Sequence, residues 1–372
     1  MTIKPQLLNE RTTALFALAE EWAAPRSKRP LHKEVSRLSK LFTTQRKERD
    51  QLYLSEPGLR YAYAAYFTPL NAAKIANLLF RLHNENKLPT LERPPRIADL
   101  GSGPCSGILG AHLFYGALGE CWAMDRSGKA LDDGVALYEQ MVGEEVTNLT
   151  TLRGNLGAKP LPKSKHGSFD VVIMANVLNE IGDPRRGQAL RLRIIQNALR
   201  LLSKDGILLI VEPGTRVHGR ALQRLRDTLV KTKEHQILSP CPKVQQCPLL
   251  ETKADWCHQE LDWERPKVCR QIEKKAGLES HILKCAHLLI GHSAFVMPAS
   301  AGCVVGGVMR TPTGEKRYMC QSKGLVTLSK GSGALPKSIQ RMLRGEALLE
   351  VPKGVTCQLR DRRPLVKNRP RR

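Results

Sequence analysis

No stretch of the 372-residue chain reaches the ~18 apolar residues that a membrane-spanning helix needs, so no membrane span is expected. No secretory leader is expected, since the first residues lack an apolar core and carry Glu10, Glu20 and Glu21. The same acids make the segment unlike a mitochondrial presequence. The expected setting is a bacterial cytosol, with a mitochondrial matrix as the alternative. Paired C-x2-C spacing, usual in structural zinc sites, is absent. No internal repeat is found.

Acidic residues are the scarce charge. Lys and Arg number 59 against 35 Asp and Glu, for a formal net charge of +24. The excess lies at the flanks. Residues 1–90 hold 15 bases and 8 acids, residues 91–212 hold 14 of each, and residues 213–372 hold 30 and 13. A neutral middle between basic flanks describes a chemistry domain bordered by surfaces for a polyanion. RNA or DNA is the leading partner, because phosphate neutralisation releases counterions. Residues 360–372, with seven bases and one acid, read as a disordered RNA-seeking tail. At 41% hydrophobic residues the chain can build a core, which excludes wholesale disorder, and its length predicts two or three domains.

Residues 1–90 read as helical. Between Tyr61 and Asn86 a stripe of Tyr66, Phe67, Ile75, Leu78, Leu79 and Leu82 has helical spacing. Pro69 inside that run predicts two helices, or one kinked at Thr68. Residues 87–95, with three prolines, read as a linker. From Arg96 strands alternate with helices: strands at 97–100, 121–125, 147–156, 169–178 and 206–213, and helices at 108–118, 129–142 and 186–202. That alternation predicts an α/β class fold with a parallel, doubly wound, Rossmann-like sheet. After Pro213 it stops. A helix is expected at 220–230, then an irregular stretch from Pro240 to Trp263, then short β runs from His281. The expected organisation is a helical region over 1–90, a doubly wound α/β domain over 91–239, a cysteine-cluster and β-rich RNA-facing region over 240–330, and a basic extension over 331–372.

The segment DLGSGPCSG (99–107) joins the first strand to the first helix of the sheet. Gly101 and Gly103 permit a tight turn and close approach of a ligand. Asp125 ends the second strand, where a carboxylate grips ribose hydroxyls. With Asp99 on the strand, the pattern D-x-G-x-G favours S-adenosylmethionine over a dinucleotide. That cofactor carries no phosphate, and its cationic groups suit an acidic pocket. Asp99, Gly101, Ser102, Gly103, Asp125, Asn155 and Asn176 form the expected cofactor-binding set. Cys105 stands where a third glycine is usual, and its side chain is expected to crowd the pocket. A bare connecting turn is the structural alternative. Glu180 and Glu212 are candidate polar pocket residues. No catalytic residue is assigned: the Asn/Asp-Pro-Pro-aromatic tetrapeptide of amine methylases is missing, and Cys241 lies too far from the fifth strand to be a pyrimidine-attacking nucleophile.

Cys241, Cys247 and Cys257 fall within 17 residues, the first two each followed by proline. Such wide, unequal spacing with Cys-Pro dipeptides suits an iron–sulfur cluster better than zinc, with unliganded core cysteines as the third reading. His258, Cys269, Cys285, Cys303 and Cys320 are candidates for a fourth ligand.

Together DLGSGPCSG, VLNEIGDPRRG, VEPGTRVHGRALQRLRDTLV and PCPKVQQCPL followed by DWCH resemble the methyltransferase-like proteins of the small ribosomal subunit, found in bacteria and mitochondria. The resemblance runs from about Tyr61 to Lys330. It implies a class I methyltransferase fold, a [4Fe–4S] cluster, and a role on small-subunit ribosomal RNA during assembly or early translation. By position it implies Cys241, Cys247, Cys257 and Cys320 as cluster ligands. KCA (284–286) departs from the family, where a Ser-aromatic pair is usual. Two functions follow as expectations: an S-adenosylmethionine-dependent rRNA methyltransferase, or a catalytically silent assembly factor on the same fold. A DNA-directed methylase is the third reading. The free protein is expected to be monomeric.

Overall fold

The computed structural model describes residues 3–45, 53–143, 148–157, 161, 168–182, 187–232, 235–241, 246–292 and 302–359. The basic tail from 360 lies outside the described residues, as do residues 183–186 of the VLNEIGDPRRG motif. The chain divides into two compact units: residues 1–182, 189–211 and 261–283 form the first, and residues 183–188, 212–260 and 284–372 the second.

The first unit opens with helices α1 (Pro5–Ala23), α2 (Leu31–Phe42), α3 (Pro57–Ala62) and α4 (Thr68–Asn84). The expected break at Pro69 takes a different form. The chain passes from α3 through a π-helical segment, Tyr63–Phe67, straight into α4, and Pro69 occupies the first turn of α4. There its missing N–H costs little, and the wider turn before it makes room for the ring. The predicted stripe is buried at Tyr66, Ile75, Leu78, Leu79 and Leu82, while Phe67 stays half-buried.

Strands β1 (Ile97–Leu100), β2 (Cys121–Asp125), β3 (Leu149–Arg153), β4 (Phe169–Ala175) and β5 (Leu202–Pro213) follow, with helices α5 (Ser106–Tyr115), α6 (Gly128–Val142) and α7 (Gln188–Leu199) between them. The sheet order is β3-β2-β1-β4-β5, and every pairing among the five is parallel. β1 and β4 are buried at nearly every residue, as a sheet covered on both faces requires. α6 begins where the Ser127 hydroxyl accepts the Ala130 N–H, and ends at Gly143 in the left-handed region. The helix Lys267–Ala276, not foreseen from the sequence, also belongs to this unit. The Tyr66 hydroxyl donates to its Glu273 at 2.8 Å, and the Trp263 ring just before it lies 6.0 Å from Phe16.

The second unit contains α8 (Arg216–Thr232), then β6 (His235–Ser239), β7 (Gln259–Leu261) and β8 (Leu283–His292). β8 pairs with both β6 and β7. An antiparallel sheet follows from β9 (Gly302–Val304), β10 (Met309–Thr311), β11 (Gly314–Gln321), β12 (Gly324–Ser329), β13 (Ala347–Leu348) and β14 (Thr356–Leu359), in the order β13-β9-β11-β12-β14 with β10 beside β11. Met319, Val326 and Leu328 pack with Leu335 and Ile339 as one core of this sheet. Among the described residues no helix is long and apolar enough to cross a membrane.

Candidate functional site

In the first unit the strand order reverses between β1 and β4. Ligands of open α/β sheets sit at such a switch point, beyond the carboxyl ends of the strands. The loop leaving β1 is stitched to the end of β2, where Gly101 and Ser102 both donate their N–H to the Met124 carbonyl, at 2.8 and 2.9 Å. Gly101 and Gly103 take left-handed φ of 76° and 52°. A Cβ on Gly103 would meet nothing within 4 Å, so the loop is open above that residue.

Asp99 lies beneath the loop, 1% exposed. Its Oδ2 accepts the Ser102 hydroxyl at 2.5 Å and the Gly107 N–H at 2.8 Å, and the Ile108 N–H at the start of α5 also favours the carboxylate. Burial raises its pKa to about 6, against the lowering effect of those hydrogen bonds. Asp99 therefore braces the loop from below. Asp125 is half-buried at the end of β2, with Oδ2 accepting the Gly103 N–H at 2.9 Å and Oδ1 accepting the Ser127 N–H at 2.8 Å. Each oxygen keeps further lone-pair capacity.

Four of the seven expected residues, Gly101, Ser102, Gly103 and Asp125, thus meet in one hydrogen-bonded turn with Asp99 underneath. Asn176 stands at the head of the loop after β4 with φ of 56°; its N–H donates to Val211 and its carbonyl accepts the Asn179 amide. Asn155 is exposed and turns its Oδ1 back onto the Gly157 N–H. Cys105 does not crowd the opening. Its side chain is fully buried against α6, where a Cβ on Gly134 would come within 2.5 Å of Sγ.

Sequence reasoning missed the aromatic side of this site. Burial, and next the negative charges of Glu180 and Asp125, raise the Tyr63 phenol well above its ordinary range. The Tyr53 hydroxyl donates to Glu180 at 3.4 Å, and Arg126 pairs with Glu180 at 3.5 Å. Tyr53 and Tyr63 lie some 60 to 130 residues from their partners, with no spacing signal to join them. Glu212 is buried and falls in the second unit.

In the second unit five cysteines line one recess: Cys241, Cys247, Cys257, Cys303 and Cys320. Cys303 and Cys320 are register partners across β9 and β11. Cys269 and Cys285 are buried but do not line it. Burial pushes the Cys247 thiol up to about 11, and burial followed by the neighbouring thiols pushes Cys257 and Cys320 up strongly. Among the described residues no group of three or more His, Cys, Asp and Glu is placed to hold a metal ion.

α8 supplies the polar wall of the recess. Gln223 Nε2 donates to Cys247 Sγ at 2.9 Å. Arg226, 1% exposed, pairs with Asp227 at 2.8 Å, and the Asp227 carboxylate accepts the Cys247 N–H at 3.0 and 3.2 Å. Arg220 donates to the carbonyls of Leu249, Thr252 and Asp255 at 3.1, 2.6 and 2.6 Å, pinning the loop between Cys247 and Cys257.

A five-stranded parallel sheet in this order, with an acid–glycine turn after β1 and an acid ending β2, defines a class I methyltransferase-like fold. A family profile described as "Mitochondrial small ribosomal subunit Rsm22" matches residues 60–282, more than half of the sequence, and the chain belongs to that family. The human mitochondrial ribosome assembly protein METTL17 is 30% identical over 172 residues, which span 44% of this chain and 36% of that relative. The chain thus spans little more than a third of its length. Among solved structures the chain is similar to TrmN from Thermus thermophilus, at 14% identity and TM-score 0.35, covering 60% of this chain and 52% of that one. It is also similar to a precorrin-6y methyltransferase from Geobacter metallireducens, at 13% identity and TM-score 0.33, covering 57% and 87%.

Proposed function

We propose that the protein is an S-adenosylmethionine-binding, methyltransferase-like factor that acts on ribosomal RNA of the small subunit during its assembly. Membership of the Rsm22 family carries this reading. The METTL17 likeness supports the assembly role. The loop after β1 fits the cofactor: open above Gly103, edged by Asp125 and braced from beneath by Asp99. The cofactor, when bound, supplies an electrophilic methyl group. Asp125 would hold its ribose hydroxyls, the Gly101–Gly103 backbone would let it approach, and the Asp99, Asp125 and Glu180 carboxylates would favour its positive charge. The basic flanks would hold RNA phosphate, with affinity falling steeply as salt rises.

The second unit is read as the seat of a [4Fe–4S] cluster on Cys241, Cys247, Cys257 and Cys320. The donor set supports it, with soft thiols around a recess on loop and sheet backbone. Cys241, Cys247, Cys257 and Cys320 would each supply one thiolate to an iron of the cluster.

Labelled-methyl transfer to small subunits from a strain lacking the protein tests the enzymatic reading. Label is expected in the RNA with the wild-type chain and absent with Asp125→Ala, which still binds the subunit. Subunit binding without label from the wild-type protein overturns methyl transfer. Anaerobic purification tests the cluster, with iron and labile sulfide expected at about four each per chain and lost in Cys247→Ser. Stoichiometric zinc without visible absorbance overturns it.

A further inference from the structure

Arg226 is a charge in a place where charges are costly. Removing a guanidinium from water costs several kcal/mol unless counter-charges repay it. Asp227 supplies one, yet its carboxylate also receives the Cys247 N–H, so the ion pair is tied to the recess wall. Arg226 and Gln223 themselves line that recess, one helical turn apart on α8. Gln223 directs its N–H at the Cys247 sulfur, and its Oε1 is buried without a partner among the described residues. A neutral thiol sulfur is a weak acceptor. A donor amide and a cation beside five cysteines suit a site whose sulfurs carry negative charge.

We propose that Arg226 and Gln223 are positioning residues for the cluster: they stabilise the negative charge of its thiolates and so raise its reduction potential. This rests on the cluster reading given above. A cubane with four thiolate ligands carries a net charge of about −2 in its oxidised state, and hydrogen bonds and net charge at the sulfurs are what set such potentials. Adding an electron makes the site more negative. The Arg226 cation and the Gln223 donor therefore favour the reduced form, and removing either favours the oxidised form. The ligands stay the same throughout, because neither residue is a thiolate.

The test uses the full chain, reconstituted anaerobically with ferrous iron and sulfide and titrated against redox dyes while its visible absorbance is followed. Arg226→Met is expected to raise the ratio of oxidised to reduced cluster at a fixed potential at least tenfold, ~59 mV for a one-electron couple. Arg226→Lys, which keeps the charge, is expected to stay within about threefold of wild type. Gln223→Leu is expected to shift the ratio in the same direction as Arg226→Met, by less. If Arg226→Met does not load, Arg226→Lys and Gln223→Leu decide the matter. A loaded Arg226→Met or Gln223→Leu with the wild-type potential, or a shift in Arg226→Lys as large as in Arg226→Met, overturns this proposal alone. Wild-type chain that takes up no iron overturns the cluster reading and this proposal with it.

Discussion

Asp99 couples the loop after β1 to pH, and the size of the effect can be worked out. Its carboxyl has a pKa of about 6 in the folded chain against 3.8 unfolded, with burial as the main cause. A raised folded value means that the native state holds the proton longer than the unfolded state does. Stability is then greatest below the unfolded value and falls as pH rises from 3.8 towards 6. The full loss is about 3 kcal/mol, of which about 2 kcal/mol falls between pH 4 and pH 7. Asp99→Asn keeps the shape but cannot titrate. Urea unfolding followed by tryptophan fluorescence across that range should give a shallower fall for the variant, with Trp122 in β2 as a buried reporter. The variant also loses acceptor strength towards Ser102 and Gly107 at every pH, so the difference in slope carries the information. Parallel curves for the two proteins would refute the assignment of a buried, neutralising Asp99.

Two further perturbations test the same unit. In Gly134→Ala the new Cβ would lie 2.5 Å from Cys105 Sγ and 2.6 Å from the Pro104 carbonyl carbon, so the variant should lose roughly 1–3 kcal/mol in urea unfolding, with Cys105→Gly recovering part of it. Arg60→Met strands Asp133, whose Oδ2 accepts from Arg60 Nε at 2.6 Å in a pair about nine-tenths buried. That should cost about 3–5 kcal/mol near neutral pH. Burial already raises Asp133 and Arg60 opposes the rise, so the deficit should shrink as pH falls and the stranded carboxyl takes up a proton.

The sheet was legible because its strands are apolar runs bounded by turn residues, and Asp99, Gly101, Gly103 and Asp125 fall at fixed places relative to those runs. Local pattern sufficed for the elements and for the turn. It failed where partners come from afar. Cys303 was one of five candidates, and nothing in its neighbourhood raises it above Cys269 or Cys285. The antiparallel register that sets it opposite Cys320 brings it into the recess, and register is a property of two strands together. The stretch after Pro240 was read as irregular, yet it contains β7 and the short turn Pro248–Leu250. Much of its order is imposed by Arg220, whose donors satisfy three loop carbonyls that no regular element pairs. The place of Cys105 escapes the local pattern for the same reason, since the space it fills is made by Gly134, 29 residues on.

The uneven spacing of Cys241, Cys247 and Cys257 then has a structural explanation. In compact zinc sites the paired ligands, with two residues between them, position one another on a tight turn. In this chain α8 positions at least Cys247 and the loop that follows it. Arg220, Gln223 and Asp227 recur at intervals of three and four, which puts them on one face of the helix. Arg220 fixes the loop that leads from Cys247 to Cys257. Gln223 meets the Cys247 sulfur, and Asp227 takes the Cys247 N–H. The regular period that the cysteines lack is carried by the helix beside them. A motif search confined to cysteine spacing reads this segment as irregular, whereas RALQRLRD at 220–227 holds the information that places the thiols.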